Sequence, residues 1–280
     1  MKNGNGRHKA RVGVIGLGTV GKTLAHALSW YHNVVPYDVK GDYDWEPILG
    51  TDVVLVCVPT PLGPDGRLNC GNVDDVLNRL QDGDFRRPVA IRSTVKVGYM
   101  DQAVSAHPDL RLVYFPEFIR ERSRLQWTVC PDRLVLAGDE RDVRIVLNVF
   151  EWVEDAPTLR MSFSEAELGK LANNAYIATK VSFTNEIERI CQMYGADPEK
   201  VMQVVAADRR VASREHLRPN RGPYDGPCIP KDTHELMIAG GGAPLLVAVE
   251  QVKDSLVAAS SRPAGRVMAT MRADPLDESA

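Results

Sequence analysis

A chain of 280 residues is long enough for one large domain or two ordinary ones, and a composition 44% hydrophobic and 25% charged is globular. A formal net charge of −3 leaves no electrostatic case for nucleic acid or an anionic membrane as partner. The opening MKNGNGRHKARVGVIG lacks the apolar segment of a secretion signal, and no apolar run approaches the roughly 18 residues of a membrane span. Five scattered cysteines (Cys57, Cys70, Cys130, Cys191, Cys228) form no CxxC pair, so reduced thiols in a cytoplasm are expected.

RVGVI (11–15) predicts a first strand, followed by GLGTVG (16–21) and an amphipathic helix, KTLAHALSW. NVVPYD (33–38) and DVVLVCV (52–58) predict the second and third strands. The third is apolar almost throughout, as suits a parallel sheet covered on both faces. NVDDVLNRLQ predicts a helix, PVAIRST and RLVYF two strands, RLVLAG (133–138) another strand, and 142–153 the helix after it. The pattern changes after Pro157. Residues 164–194 contain no proline and a single glycine, Gly169. Their apolar residues recur at helical spacing (Leu168, Leu171, Ala175, Ile177, Ala178, Val181, Ile187, Ile190), which predicts a helix of roughly thirty residues. Ser164 with Glu167 is its expected capping box. Asp197-Pro198 opens a further helix, and PLLVAVEQVKDSLVAA (244–259) predicts another. Residues 261–280 have weak periodicity and are expected to be disordered.

GLGTVG matches G-x-G-x-x-G directly after a strand and at the opening of a helix. Gly16 permits the tight turn, Gly18 lets the backbone approach a pyrophosphate, and Gly21 lets helix and strand pack closely. The helix N-terminus, with Thr19 and Val20, faces the phosphate charge. Asp38 ends the second strand about 20 residues on, where a carboxylate bonds ribose hydroxyls and repels a 2′-phosphate, favouring NAD over NADP. Lys40 is the one mild argument for NADP. The ends of later strands carry Pro59-Thr60-Pro61, Ser93-Thr94 and Pro116-Glu117-Phe118, which should line the same cleft. The expected fold class is therefore α/β. A Rossmann-type doubly wound parallel sheet (1–160) is followed by an all-α domain with a long central helix (161–260).

Two further patterns carry chemistry. Lys170 and Asn174, i and i+4 on the long helix, share a face and can hold an oxygen that gains negative charge. The same spacing also suits a solvated lysine and a surface asparagine. Cys228 lies in GPYDGPCIPKD (222–232), between Pro227 and Pro230 and just before Lys231 and Asp232. A nearby cation raises a thiol's thiolate fraction, and a Pro/Gly-rich loop is a poor place to bury one. Cys57, inside an apolar strand, and Cys191, inside a helix, fit ordinary buried thiols.

From about residue 11 to residue 255 the chain resembles the UDP-glucose/GDP-mannose dehydrogenases, the nucleotide-sugar 6-dehydrogenases. The resemblance rests on GLGTVG, VPTPLGPDG, STVKVG, FPEFIRE, PDRLVLAG, AELGKLANNAYIATKVSFTNEIE, DRRV and CIPKD, in that order. It implies NAD-dependent oxidation of a sugar primary alcohol to a carboxylate in two steps, through a thiohemiacetal and then a thioester on Cys228. It implies that Lys170 and Asn174 stabilise the oxyanions and orient the alcohol. Asp232 would assist proton transfer and hold water with Thr94, and Glu117 would act as acid/base in hydrolysis. Thr60 and Lys231 would contact the cofactor, and Glu121 would sit at the boundary of cofactor and substrate. Phe118, Ile119, Arg120, Tyr224 and Gly226 would join the substrate site, and Arg210 would reach the partner subunit's substrate. No metal is implied. The long helix would form the core of a homodimer. Two departures stand out. The loop before the cysteine reads PYDG where the family usually has GFGG, with Pro223 and Asp225 in place of glycines. The chain also reads as a short form that stops before the family's C-terminal nucleotide-binding domain. A two-electron β-hydroxyacid-type dehydrogenase, needing no cysteine, and a non-catalytic NAD-binding protein are the alternative readings.

Overall fold

The structure, a computed structural model, describes residues 9–119, 123–153, 155–211, 223–225 and 241–260. The chain divides into two compact units, Met1–Ala175 and Tyr176–Ala280.

The first unit is built on a seven-stranded sheet of order β2-β1-β3-β4-β5-β6-β7. The strands are β1 Arg11–Ile15, β2 Asn33–Tyr37, β3 Val53–Val56, β4 Pro88–Ile91, β5 Arg111–Tyr114, β6 Leu134–Gly138 and β7 Thr158–Arg160. The helices are α1 Thr19–Ser29, α2 Glu46–Leu49, α3 Gly71–Asp82, α4 Tyr99–Ala106, α5 Arg124–Val129 and α6 Glu140–Asn148. β3 and β4 are buried at every residue. Val54, Val56, Val89 and Ile91 join one core layer with Leu77, Leu80 and Met100 of α3 and α4. Val53, Leu55 and Ala90 join the other with Leu24, Leu28, Val143 and Val146 of α1 and α6. A strand covered on both faces has no reason to alternate, which is why β3 is apolar throughout. Each fully buried Leu or Ile contributes about 1.5–3 kcal/mol.

The sheet departs from the all-parallel expectation at one edge. β5 and β6 are antiparallel, pairing Val113 with Gly138 and Tyr114 with Ala137, and β7 then runs parallel to β6. Gly138 has φ +141°, and a Cβ there would lie 3.0 Å from the carbonyl oxygen of Leu112, so glycine permits this close pairing. α6 begins at Glu140 rather than 142, because the Asp139 side chain accepts the N–H of Arg141 at 2.9 Å and caps it there.

Helix α7 runs unbroken from Phe163 to Tyr194. Its capping box is not Ser164 with Glu167 but Ser162 with Glu165. The Ser162 N–H donates to Glu165 Oε2 at 2.7 Å, and the Glu165 N–H to Ser162 Oγ at 3.4 Å. Phe163 starts the helix by packing on the first core layer. Glu167 therefore points inward. Fully buried, it accepts the N–H groups of Gly98 and Met100, each at 2.7 Å, and so caps α4.

In the second unit, α8 (Pro198–Ala207) is capped by Asp197, which accepts the Glu199 N–H at 3.0 Å. A 3-10 turn, Arg209–Val211, follows, and α9 spans Pro244–Ser260. Ile187, Ile190, Cys191, Ala243 and Leu246 form a small core. Glu186 accepts the N–H groups of Leu245 and Leu246 at the start of α9. Among the described residues no helix is long and apolar enough to cross a membrane. The tail expected to be disordered, 261–280, lies outside the described residues.

Candidate active site

The glycine turn between β1 and α1 forms one wall of a cavity of about 830 Å³. Gly16 has φ +89°, and a Cβ there would stand 2.8 Å from the backbone of Cys57. A Cβ on Gly21 would meet the carbonyl oxygen of Gly16 at 1.8 Å, so only glycine lets α1 lie against the turn. A Cβ on Gly18 would meet nothing within 4 Å, because that backbone faces open space. The three glycines thus do different jobs: two are needed by the fold, and the third leaves room for a ligand. No acidic side chain occupies the first turn of α1 to compete for its amides.

Asp38 stands where β2 ends. Its Oδ2 accepts the Leu17 N–H at 2.7 Å, and its Oδ1 accepts the Lys40 N–H at 2.8 Å. The bonds from Lys40 and Leu17 hold its carboxyl below the usual carboxylate range, so it is ionised at neutral pH. Leu17, Thr19 and Val20 line the cavity with it. This donor set fits a dinucleotide: open glycine backbone and a helix N-terminus for the pyrophosphate, and a fixed carboxylate for a ribose.

The same cavity extends along the ends of the next strands to Thr60, Ser93, Thr94 and Glu117. Thr60 Oγ1 donates to the carbonyl of Thr94 at 2.6 Å, and Ser93 Oγ to that of Val58 at 2.6 Å, so these two loops are tied together. Glu117 Oε2 accepts the Ile119 N–H at 2.6 Å. Lys170 donates to the Glu117 carbonyl at 2.6 Å and lies 3.7 Å from its Oε1. The Lys170 side chain is only 5% exposed, so it is not the solvated lysine that its spacing also allowed. Burial lowers its pKa, with Glu117 pulling it back up and Arg92 and Arg133 pushing it down. The Phe118 ring lies 5.0 Å from Lys170 Nζ and 4.0 Å from the Arg133 guanidinium. Asn174, one turn on, is exposed and accepts from the Asn173 amide at 3.2 Å. Lys170 therefore reaches the site through Glu117, while Asn174 makes no such contact among the described residues.

Cys57 also lines the cavity, but burial pushes its thiol up to about 12, which leaves it protonated and poorly nucleophilic. Cys70 and Cys191 are buried. Cys228, Lys231, Asp232, Gly226, Arg120 and Glu121 lie outside the described residues. In the second unit, the Arg210 guanidinium is held by both carboxylate oxygens of Asp208, and the Tyr224 ring lies 5.6 Å from Lys253 Nζ. Among the described residues no group of three or more His, Cys, Asp or Glu could hold a metal ion.

Two parts of the cavity wall escaped the sequence reading. Arg79 stacks 4.0 Å over Trp45 and donates to the Tyr37 hydroxyl at 2.5 Å, beyond Asp38. Arg92 stands at the end of β4. Neither belongs to a short motif, and Arg79 and Tyr37 are 42 residues apart.

Residues 37–154 match the NAD binding domain, and residues 164–252 the central domain, of the UDP-glucose/GDP-mannose dehydrogenase family. The UDP-glucose 6-dehydrogenase of Streptococcus pneumoniae is 27% identical over 86% of this chain and 72% of its own length. A UDP-glucose 6-dehydrogenase of Bacillus subtilis is 33% identical, over 68% of this chain and 44% of its own length. The chain thus spans less than half of one of these relatives. GDP-mannose dehydrogenase from Pseudomonas aeruginosa shares the fold, with a TM-score of 0.80 over 89% of this chain and 69% of that one at 24% identity. With two successive domains of one family matched in order along it, this chain belongs to the UDP-glucose/GDP-mannose dehydrogenase family.

Proposed function

We propose that the protein is an NAD-dependent dehydrogenase that oxidises the primary alcohol of a nucleotide sugar to a carboxylate. One observation carries the reading. A single cavity joins the glycine turn and Asp38 to Thr94 and Glu117, and Glu117 is backed by a buried lysine on α7. Gly16, Gly18, Thr19, Val20, Asp38 and Thr60 would hold NAD, which supplies the hydride acceptor when bound. Asp38 favours NAD over NADP, because a fixed carboxylate repels a 2′-phosphate.

Lys170 and Glu117 form a unit whose charges are partly removed from water. A lysine so placed favours an oxygen that turns negative during reaction. In the proposed sequence the Cys228 thiolate adds to the intermediate aldehyde carbon, and the aldehyde oxygen becomes the hydroxyl of a thiohemiacetal. Loss of the hydroxyl proton and of a second hydride, for which a second NAD would be the acceptor, leaves a thioester. Water adds to its carbonyl carbon and the carbon–sulfur bond breaks, giving the carboxylate and returning the thiol. Glu117 and Asp232 would move the protons, Thr94 would hold the water, and Asn174 would orient the alcohol. The long helix α7 would form the core of a homodimer.

The test is NADH absorbance with a panel of UDP- and GDP-sugars. Two NADH per sugar are expected, with none from Cys228→Ser. Lys170→Met should lower kcat by about 10²-fold or more while NAD affinity holds within about threefold. One NADH per substrate, unaffected by Cys228→Ser, would select a hydroxyacid-type reaction instead. The absence of turnover with every alcohol offered would leave a non-catalytic NAD-binding protein.

A further inference from the structure

At the β4 end of the cavity stands a cation that the proposed chemistry does not use. Arg92 is 7% exposed, and its Nε has no hydrogen-bond partner among the described residues. Its guanidinium lies 4.2 Å from the centre of the Phe115 ring and 5.6 Å from that of Phe150. A buried arginine is ordinarily met by a carboxylate, because a lone charge is costly to take out of water. The carboxylate that acts on Arg92 is Glu117, and that group is already engaged by the Ile119 N–H and Lys170. Cys57, beside it in the wall, is kept neutral by burial. Aromatic faces soften the cost of a buried cation without cancelling its charge. This end of the cavity therefore holds a fixed positive charge that reaches its contents at low dielectric.

The sheet order says which part of a ligand would meet it. From β2, which carries Asp38, to β4 is three strand steps, about 14 Å. A dinucleotide with its adenosine ribose at Asp38 and its pyrophosphate over Gly18 extends its other half toward β4. That half is the nicotinamide, which is cationic when oxidised and neutral when reduced. A fixed cation disfavours the first and leaves the second untouched.

We propose that Arg92 sets the cavity's preference between the two redox states, favouring the reduced dinucleotide over the oxidised one. This rests on the NAD reading above. Such a bias draws the bound cofactor toward its reduced form, the direction an alcohol-oxidising enzyme needs.

The experiment is calorimetric titration of the full chain and its Arg92→Met and Arg92→Lys variants with NADH, NAD and ADP-ribose. ADP-ribose carries the adenosine and pyrophosphate without the nicotinamide. The wild-type chain should bind NADH more tightly than NAD by about tenfold or more. Arg92→Met should shrink that ratio about tenfold, Arg92→Lys should keep most of it, and ADP-ribose affinity should stay within about twofold throughout. An unchanged ratio in Arg92→Met with ADP-ribose still bound overturns the inference and leaves the NAD reading standing. If Arg92→Met does not fold, the wild-type chain still decides: equal affinity for NADH and NAD overturns the inference alone. Failure of the wild-type chain to bind ADP-ribose or either dinucleotide overturns the NAD reading, and the inference with it.

Discussion

Gly18 and Gly21 stand three residues apart, and alanine at each should do opposite things. At Gly21 the new methyl would collide with the Gly16 carbonyl oxygen, so α1 must shift. Gly21→Ala should cost about 1–3 kcal/mol or more in chemical denaturation. At Gly18 the methyl meets no protein atom and enters the ligand's space. Gly18→Ala should leave stability within about 0.5 kcal/mol and weaken NAD binding about tenfold or more. Asp38 gives a pH test. Its folded pKa is depressed by two backbone donors, so its contribution to stability is full above the ordinary carboxylate pKa and fades as pH falls through the folded value. The stability gap between the wild-type chain and Asp38→Asn should therefore begin to narrow as pH falls below about 5 and keep narrowing as pH falls through the folded value, as followed by urea denaturation. These residues were legible in the sequence because the motif encodes backbone geometry over a few positions. The burial of Lys170 was not. Helical spacing gives a side chain its face, and only the elements packed there decide whether that face is wet.

At the scale of elements, the start of α7 offers the clearest test. Ser162→Ala removes the acceptor of the Glu165 N–H and should cost about 1 kcal/mol, whereas Ser164→Ala should cost under about 0.5 kcal/mol. Glu167→Ala strands the N–H groups of Gly98 and Met100 and should cost about 2–4 kcal/mol. Thermal melts of the three variants check the order. The pattern S-x-x-E occurs twice here, at Ser162 and at Ser164, and the sequence does not say which pair caps the helix. The packing of Phe163 on the core decides it. Strands β1, β3 and β4 were legible because buried strands are written as apolar runs. β7 was not: all three of its residues are exposed, and it exists because β6 lies beside it to pair with.

For the whole molecule, the proposed homodimer predicts that apolar side chains exposed on the second unit are covered in solution. Tyr176 and Ile177 of α7 are 42% and 49% exposed in this chain. Sedimentation should find a dimer at micromolar concentration, and the double variant Tyr176→Asp, Ile177→Asp should sediment as a monomer that still binds NAD. A monomeric wild-type chain would remove the proposal. By itself the sequence determined the α/β order, the glycine turn with Asp38, the long helix and the family. Each of these is carried by local pattern: period, turn chemistry, or motifs in series. Only the tertiary structure decided that β6 reverses direction, that Glu167 caps a helix 67 residues away, that Lys170 is buried on Glu117, and that Arg92 stands in the cavity wall with no hydrogen-bond partner at its Nε among the described residues. Those are meetings between distant segments. No local spacing records them, because they depend on which surfaces the packed layers bring together.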